Sequence, residues 1–291
     1  MPSLKEIRNR ITSVGSTMQI TSAMKMVSAA KLKRAQDAIT QMRPYSVKLQ
    51  EILSNLSATL DLSENAYSDN REVKNVLIVG VTSNRGLCGG FNNNIIKRVN
   101  QLVNNDFKDA NPRVLCLGKK IKDAYKRSDF YYINDALAPV EDIFNQLTFE
   151  NNATIATELM HLFVTKEFDK IVIVYNQFVN AATQDVKTEE YLPIIPTVSD
   201  DSKAAGDYIF EPSKEEIVSD LIPKSLKIQL FKSLLDSNAS EHGARMTAMH
   251  KATDNASELQ KSLKLSYNKA RQAAITNEIL EIVGGAEALN G

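Results

Sequence analysis

Residues 240–282 read SEHGARMTAMHKATDNASELQKSLKLSYNKARQAAITNEILEI. The stretch has no proline and a single glycine, Gly243, so nothing in it forbids a continuous helix. Positions 246, 249, 253, 256, 260, 263, 267, 270, 274 and 277 step alternately by three and four, and carry Met, Met, Thr, Ala, Gln, Leu, Tyr, Ala, Ala and Asn. A step of 3.5 is the period at which one helix lies along another. The seam is a weak one. Thr253, Gln260 and Asn277 are polar, and three further positions are alanine. Small and polar residues allow close approach with modest adhesion, as suits a helix that must also touch something that moves.

A partner for this helix is written at the other end of the chain. Leu4, Ile7, Ile11, Val14, Met18 and Thr21 keep the same rhythm, and no proline interrupts residues 3–43. Pro44 is expected to kink a helix that resumes to about residue 60. A helix of that length cannot bury its apolar stripe on a compact domain, and antiparallel pairing of the two terminal helices solves the problem for both.

The middle of the chain changes period. VLIVGV at 76–81 and IVIVY at 171–175 are continuous apolar runs, the mark of strands buried on both faces. Strand character recurs at 114–117, 130–133 and 186–195, with helices expected at 92–105, 121–127 and 151–166. Residues 61–74 are polar and read as a linker. The fold class is therefore α/β: a mostly parallel, three-layer, Rossmann-like domain inserted into a long antiparallel coiled coil. The expected boundaries are 1–60 for the first coiled-coil helix, 74–200 for the inserted domain and 213–291 for the second helix. Pro223 is expected to kink or interrupt that helix, and Gly284–Gly285 to form a flexible stop.

Charge separates along the chain although it sums to zero. Residues 1–60 hold nine Lys/Arg against three Asp/Glu, whereas residues 61–212 hold 16 against 22. A basic arm calls for an acidic partner. Nucleic acid is not that partner, because the arm has no aromatic residue before Tyr45 and the chain as a whole is neutral. On spacing alone, Lys25, Lys31, Lys33 and Arg34 read as a solvated face. The apolar surroundings of Cys88 and Cys116 suit reduced thiols in a reducing compartment. His161, His242 and His250 lack the spacing of a metal site. No leader pattern and no run of about 18 apolar residues are read, so no transmembrane helix is expected.

A glycine-rich turn between a strand and a helix, as in SNRGLCGGFNNN at 83–94, is where nucleotide enzymes hold phosphate. It lacks the Lys-Ser/Thr pair of a P-loop and is not G-x-G-x-x-G. Gly86, Gly89 and Gly90 are therefore read as structural, for positive φ and close helix–strand packing, and Cys88 as a packed thiol. No cofactor site is expected.

At this point the residues resemble a known family. LKEIRNRITSVGSTMQITSAMKMVSAAKLKRAQ at the start, SNRGLCGGFN in the middle, and SEHGARMTAMHKATDNA with LSYNKARQAAITNEILEIVGGAEAL at the end are similar to the gamma subunit of the rotary F-type ATP synthase, in that family's order and over essentially the whole chain. The resemblance implies a non-catalytic rotor shaft. Its partners would be the alpha and beta subunits of an alpha3beta3 hexamer, the epsilon subunit and the ring of c subunits, at the cytoplasmic face of a bacterial membrane. It implies that Met24, Arg245, Arg271, Gln272, Thr276 and Glu278 touch the catalytic subunits, and that Tyr208 and Glu211 lie near the membrane ring. Without the resemblance two other classes stay open. An α/β enzyme with a helical arm would have its central domain stabilised by a small ligand. A static coiled-coil scaffold would keep working when cross-linked to its partner.

Overall fold

The computed structural model describes residues 3–57, 66–137, 140–194 and 214–290. In chain order the elements are α1 (Leu4–Ser57), β1 (Asn75–Val81), α2 (Phe91–Gln101), β2 (Asn111–Leu117), α3 (Lys119–Tyr125), α4 (Phe149–Val164), β3 (Lys170–Phe178), β4 (Gln184–Leu192) and α5 (Lys214–Asn290). A π-helical turn, Leu102–Asp106, follows α2, and two 3₁₀ turns, Asp135–Leu137 and Val140–Asn145, precede α4. The chain divides into two compact units: Met1–Ser28 with Met246–Gly291, and Ala29–Arg245.

The larger unit is built on a four-stranded sheet of order β2-β1-β3-β4. β1 pairs in parallel with β2 and β3, and β4 closes one edge antiparallel to β3. Because side chains alternate across a strand, each apolar run feeds two cores. Leu77, Val79, Val81, Leu115, Ile171 and Ile173 pack with Leu159 and Phe163 of α4 and Leu226, Leu230 and Leu234 of α5. Val76, Ile78, Val114, Cys116 and Val174 pack on the opposite side with Ile95 and Val99 of α2 and Ile121 and Tyr125 of α3. This is the three-layer arrangement expected from uninterrupted apolar strands. Thr148 caps α4, accepting from Asn151 N–H at 3.3 Å.

Two local expectations are corrected, at residues 130–133 and at Gly284–Gly285. The segment around 130–133 forms no strand: it meets β2 through a lone bridge, Val114 to Tyr131, and then turns where Asn134 Oδ1 accepts from Ala136 N–H. Pro44 and Pro223 both lie inside helices that carry on past them, which at Pro44 is the expected resumption and at Pro223 leaves the helix uninterrupted. Gly284 and Gly285 do not end α5, which continues to Asn290. The helix tolerates both glycines at about 1 kcal/mol of intrinsic penalty each. In the larger unit α1 keeps its rhythm past the part read from sequence: Leu32, Ala35 and Leu49 are buried, and Ile39 and Met42 half-buried.

In the smaller unit α1 and α5 run antiparallel. Thr21 and Thr253 meet through their hydroxyls at 2.8 Å, Lys25 Nζ lies 3.5 Å from His250 Nδ1, and Gly15 faces Gln260. Every seam position of α5 from 246 to 274 is buried or half-buried. Asn277, expected in the seam, is exposed. Counted outward from Thr21–Thr253, Leu4 stands opposite Ala270, so α1 has begun too late in the chain to cover Asn277. Ser3 Oγ accepts from Glu6 N–H at that start.

Candidate functional site

Two sets of residues matter: the crevice at the carboxyl ends of β1 and β3, where an open α/β sheet holds its ligand, and the exposed faces of the paired helices.

The chain leaves β1 into the loop 82–90. Ser83 organises it. Its N–H donates to Asn92 Oδ1 at 2.9 Å and its hydroxyl to Arg85 O at 2.6 Å, while Asn92 Nδ2 donates to Cys88 Sγ at 3.1 Å. Gly89 has φ of +59°, so the conformational demand for glycine falls on that residue. Gly86 has open space around it, and Gly90 precedes α2 with φ of −79°. Close packing is instead assigned to two glycines the motif did not include. A Cβ on Gly118, whose φ is +111°, would land on the Thr82 carbonyl, and one on Gly80 would strike Ile121 Cδ1. Leu87 adopts φ of +63° while its side chain remains exposed, a combination no sequence signal marks.

α5 closes this crevice. Arg245 Nε and Nη2 donate to Gly86 O at 3.3 and 3.2 Å, Nη2 also donates to Arg85 O at 3.0 Å, and Nη1 donates to Glu241 Oε1 at 2.6 Å and lies 3.4 Å from His242 Nδ1. Glu241, His242 and Arg245 are all buried. Burial raises the Glu241 carboxyl above its ordinary range against the pull of Arg245. Burial, then the charges of Arg245 and Lys31, hold the His242 imidazole down at about 4, and so neutral. Burial also raises the Cys88 thiol, against the activation a nucleophile needs. A phosphate cradle presents N–H groups to its ligand. Here carbonyls 85 and 86 point at a guanidinium whose donors are already taken. The turn is closed by the chain's own cation. Among the described residues no group of three His, Cys, Asp or Glu is placed to hold a metal.

The expected contact residues fall into three sets. Arg271, Gln272, Thr276 and Glu278 lie on the exposed part of α5, where Thr276 Oγ1 donates back to Gln272 O at 2.9 Å. At helical spacing Arg271 and Glu278 share one stripe, and Gln272 and Thr276 a neighbouring one. Met24 is half-buried on α1. Arg245 stands apart: expected at the surface of a partner, it is spent on Gly86, Arg85 and Glu241 of its own chain. The expected ring-side residues Tyr208 and Glu211 lie outside the described residues. Sequence reasoning missed Glu241 and His242. The signal available was their spacing, four and three residues before Arg245, on one helix face.

The chain is similar to known proteins along its whole length. A family model described as ATP synthase matches residues 3–289. A relative from Christiangramia forsetii named ATP synthase gamma chain is 63% identical, and one of the same name from Flavobacterium johnsoniae 64%, each over 292 aligned residues and 100% of both chains. Among solved structures, the central stalk and c-ring of the Tetrahymena thermophila mitochondrial ATP synthase contains a chain 25% identical, with TM-score 0.57 over 80% of this chain and 99% of that one. The rotor of the Euglena gracilis enzyme contains one that is 20% identical and alike in fold, with TM-score 0.62 over 94% of this chain and 98% of that one.

Proposed function

The chain belongs to the ATP synthase gamma-chain family, and from that membership we propose that it is the central rotor shaft of a bacterial F-type ATP synthase. It couples proton-driven rotation of the c-ring to ATP synthesis and hydrolysis at sites on the alpha and beta subunits. The observation that carries the reading is the pairing of a 54-residue helix with a 77-residue one through a seam in which alanine, threonine and glutamine interrupt the larger apolar residues, in a chain aligned end to end with gamma chains. A shaft needs two helices braced along each other, and a surface that adheres to no single member of the ring around it. Each catalytic site then meets a different face of an asymmetric shaft as it turns. Its affinity changes because its contacts change, which is coupling by differential binding.

The chain supplies no catalysis of its own in this reading. The support is the closed crevice, where Arg245 occupies the place in which an α/β enzyme would receive a phosphate. Met24, Arg271, Gln272, Thr276 and Glu278 are the contacts offered to the catalytic subunits. Arg271, Gln272, Thr276 and Glu278 are exposed on α5 and free of the seam. Arg245 acts on that side by holding the loop at 85–86. By family resemblance, Tyr208 and Glu211 face the epsilon subunit and the c-ring. No helix among the described residues is long and apolar enough to cross a membrane. In the proposed reading attachment is peripheral, at the cytoplasmic face and through those partners.

The test is ATP hydrolysis by the purified chain, and by matching alpha and beta subunits with and without it. The shaft reading expects no turnover by the chain alone and sustained turnover only from the three-component mixture, stalled by a cross-link between α5 and a beta subunit. Turnover by the isolated chain, abolished by altering residues 86–90, would restore the enzyme reading. Activity that survives the cross-link would restore the scaffold reading.

A further inference from the structure

One stripe of α5 is polar where it meets the sheet. Gln229, Ser233, Asp236 and Ser240 recur at steps of four and three, so they share a face of the helix. Three of the four are bonded. Gln229 Nε2 donates to Glu189 Oε1 on β4 at 2.8 Å, Ser233 Oγ to Gln229 O on its own helix at 2.7 Å, and Ser240 Oγ to Asn176 O on β3 at 3.0 Å. Asp236 is 3% exposed and, among the described residues, has neither a hydrogen bond nor an ion pair.

The donors around it are committed elsewhere. Tyr175, buried on β3, gives its hydroxyl proton to Glu189 Oε2 at 2.9 Å, so both Glu189 oxygens are filled and Asp236 receives neither donor. Four titratable groups share its surroundings: Lys232 on its own helix, Arg43 on α1, Glu189 on β4 and Tyr175 on β3. A carboxylate buried without a donor is costly, and a neutral carboxylic acid is much less so. Burial accordingly raises the Asp236 carboxyl to about 6, while Lys232 and Arg43 draw it down and Glu189 pushes it up.

We propose that Asp236 is a proton-operated clasp between α5 and the β3–β4 edge of the sheet. Protonated, it sits as a neutral group beside the bonds that join Tyr175, Glu189 and Gln229, and α5 stays seated. Ionised, it repels Glu189, calls for water and is drawn toward Lys232 and Arg43, so β4 opens more readily. The seat therefore weakens as pH rises through about 6. The clasp lies wholly within the larger unit and does not depend on the rotor reading.

The test is amide hydrogen exchange of the full chain at pH 5 and pH 7, corrected for the intrinsic rate and read at the β4 amides bonded to β3. An opening that releases a carboxyl from about 6 to its ordinary 3.8 becomes about ten-fold more frequent over that interval. Protection of β4 is therefore expected to fall about ten-fold from pH 5 to pH 7 in the parent but not in Asp236→Asn, with the α2 amides alike in both proteins. Equal pH dependence of β4 in the two proteins overturns the proposal. A second measurement, carbon-13 NMR of the aspartate carboxyls, does not rely on that variant. One signal is expected to titrate near pH 6 in the parent, and lower in Glu189→Gln, because the repelling charge is gone. If every aspartate titrates in the ordinary range, or if Glu189→Gln leaves the midpoint where it was, the clasp is overturned.

Discussion

Arg245 Nη1 donates to Glu241 Oε1 across 2.6 Å, and both side chains are about nine-tenths buried. The pair is one turn of α5, yet its other bonds reach the loop after β1, more than 150 residues earlier in the chain. Removing one partner leaves an uncompensated charge in the interior. Arg245→Ala is expected to destabilise the larger unit by about 3–5 kcal/mol, and Arg245→Lys by less, since it keeps the charge without the fork that spans Gly86 O and Glu241. Urea unfolding of the chain reads both. Equal midpoints for Arg245→Ala and the parent would deny the latch its role.

His242 sets a pH dependence of known sign. Its folded value of about 4 lies below the ordinary 6.5. The unfolded chain takes up the proton first as pH falls, so the contribution to stability is full above 6.5 and lost progressively toward about 4. The loss amounts to roughly 3 kcal/mol. His242→Gln should flatten the stability profile across that interval, measured by thermal unfolding at a series of pH values. An unchanged slope would count against it.

Asp236 acts in the opposite direction. Burial raises its carboxyl to about 6 from 3.8, against the pull of Lys232 and Arg43. The folded chain holds this proton better, so its contribution is full below 3.8 and lost as pH rises through about 6. Asp236→Asn is expected to stabilise the chain at pH 7 by about 1–3 kcal/mol and to change little at pH 4. Destabilisation at pH 7 would overturn this.

Glycines separate into two kinds. Gly118→Ala meets both a positive φ and the Thr82 carbonyl, and should destabilise the chain by about 3 kcal/mol or more. Gly284→Ala and Gly285→Ala meet nothing within 4 Å on a continuing helix, and should each stabilise α5 by about 0.5–1 kcal/mol. Helical ellipticity and melting temperature distinguish the two outcomes. Fraying of the last turns in the alanine variants would contradict the second.

Arg271 tests the contact assignment. It is exposed, so Arg271→Glu should leave the melting temperature of the isolated chain unchanged. In a mixture with matching alpha and beta subunits it should lower ATP hydrolysis about ten-fold or more, because the proposed contact would then carry the opposite charge. Full activity would remove Arg271 from the contact surface.

The sequence alone determined the elements that rest on periodicity. VLIVGV and IVIVY are buried strands because an uninterrupted apolar run has no face to offer to water. The 3.5-residue seam predicted α5, and nine of its ten positions are covered. Local pattern misled where the answer lay in a neighbour's extent or in the balance of a whole helix. Asn277 keeps the seam's spacing, but α1 does not reach it. Gly284–Gly285 looks like a stop, but α5 continues past it. The crevice was half legible: that SNRGLCGGFN lacks a P-loop's lysine is visible in one dimension, and that Arg245 closes it is not. Hydrogen bonds between residues 86 and 245 leave no trace in spacing, because either residue alone is compatible with many partners. The sequence therefore determined which segments are helix and strand and which faces are apolar, since those depend on neighbours within a turn or two. Tertiary structure decided which polar groups are satisfied, which glycines are indispensable and which register the helices adopt, since each of those is set by an atom far along the chain.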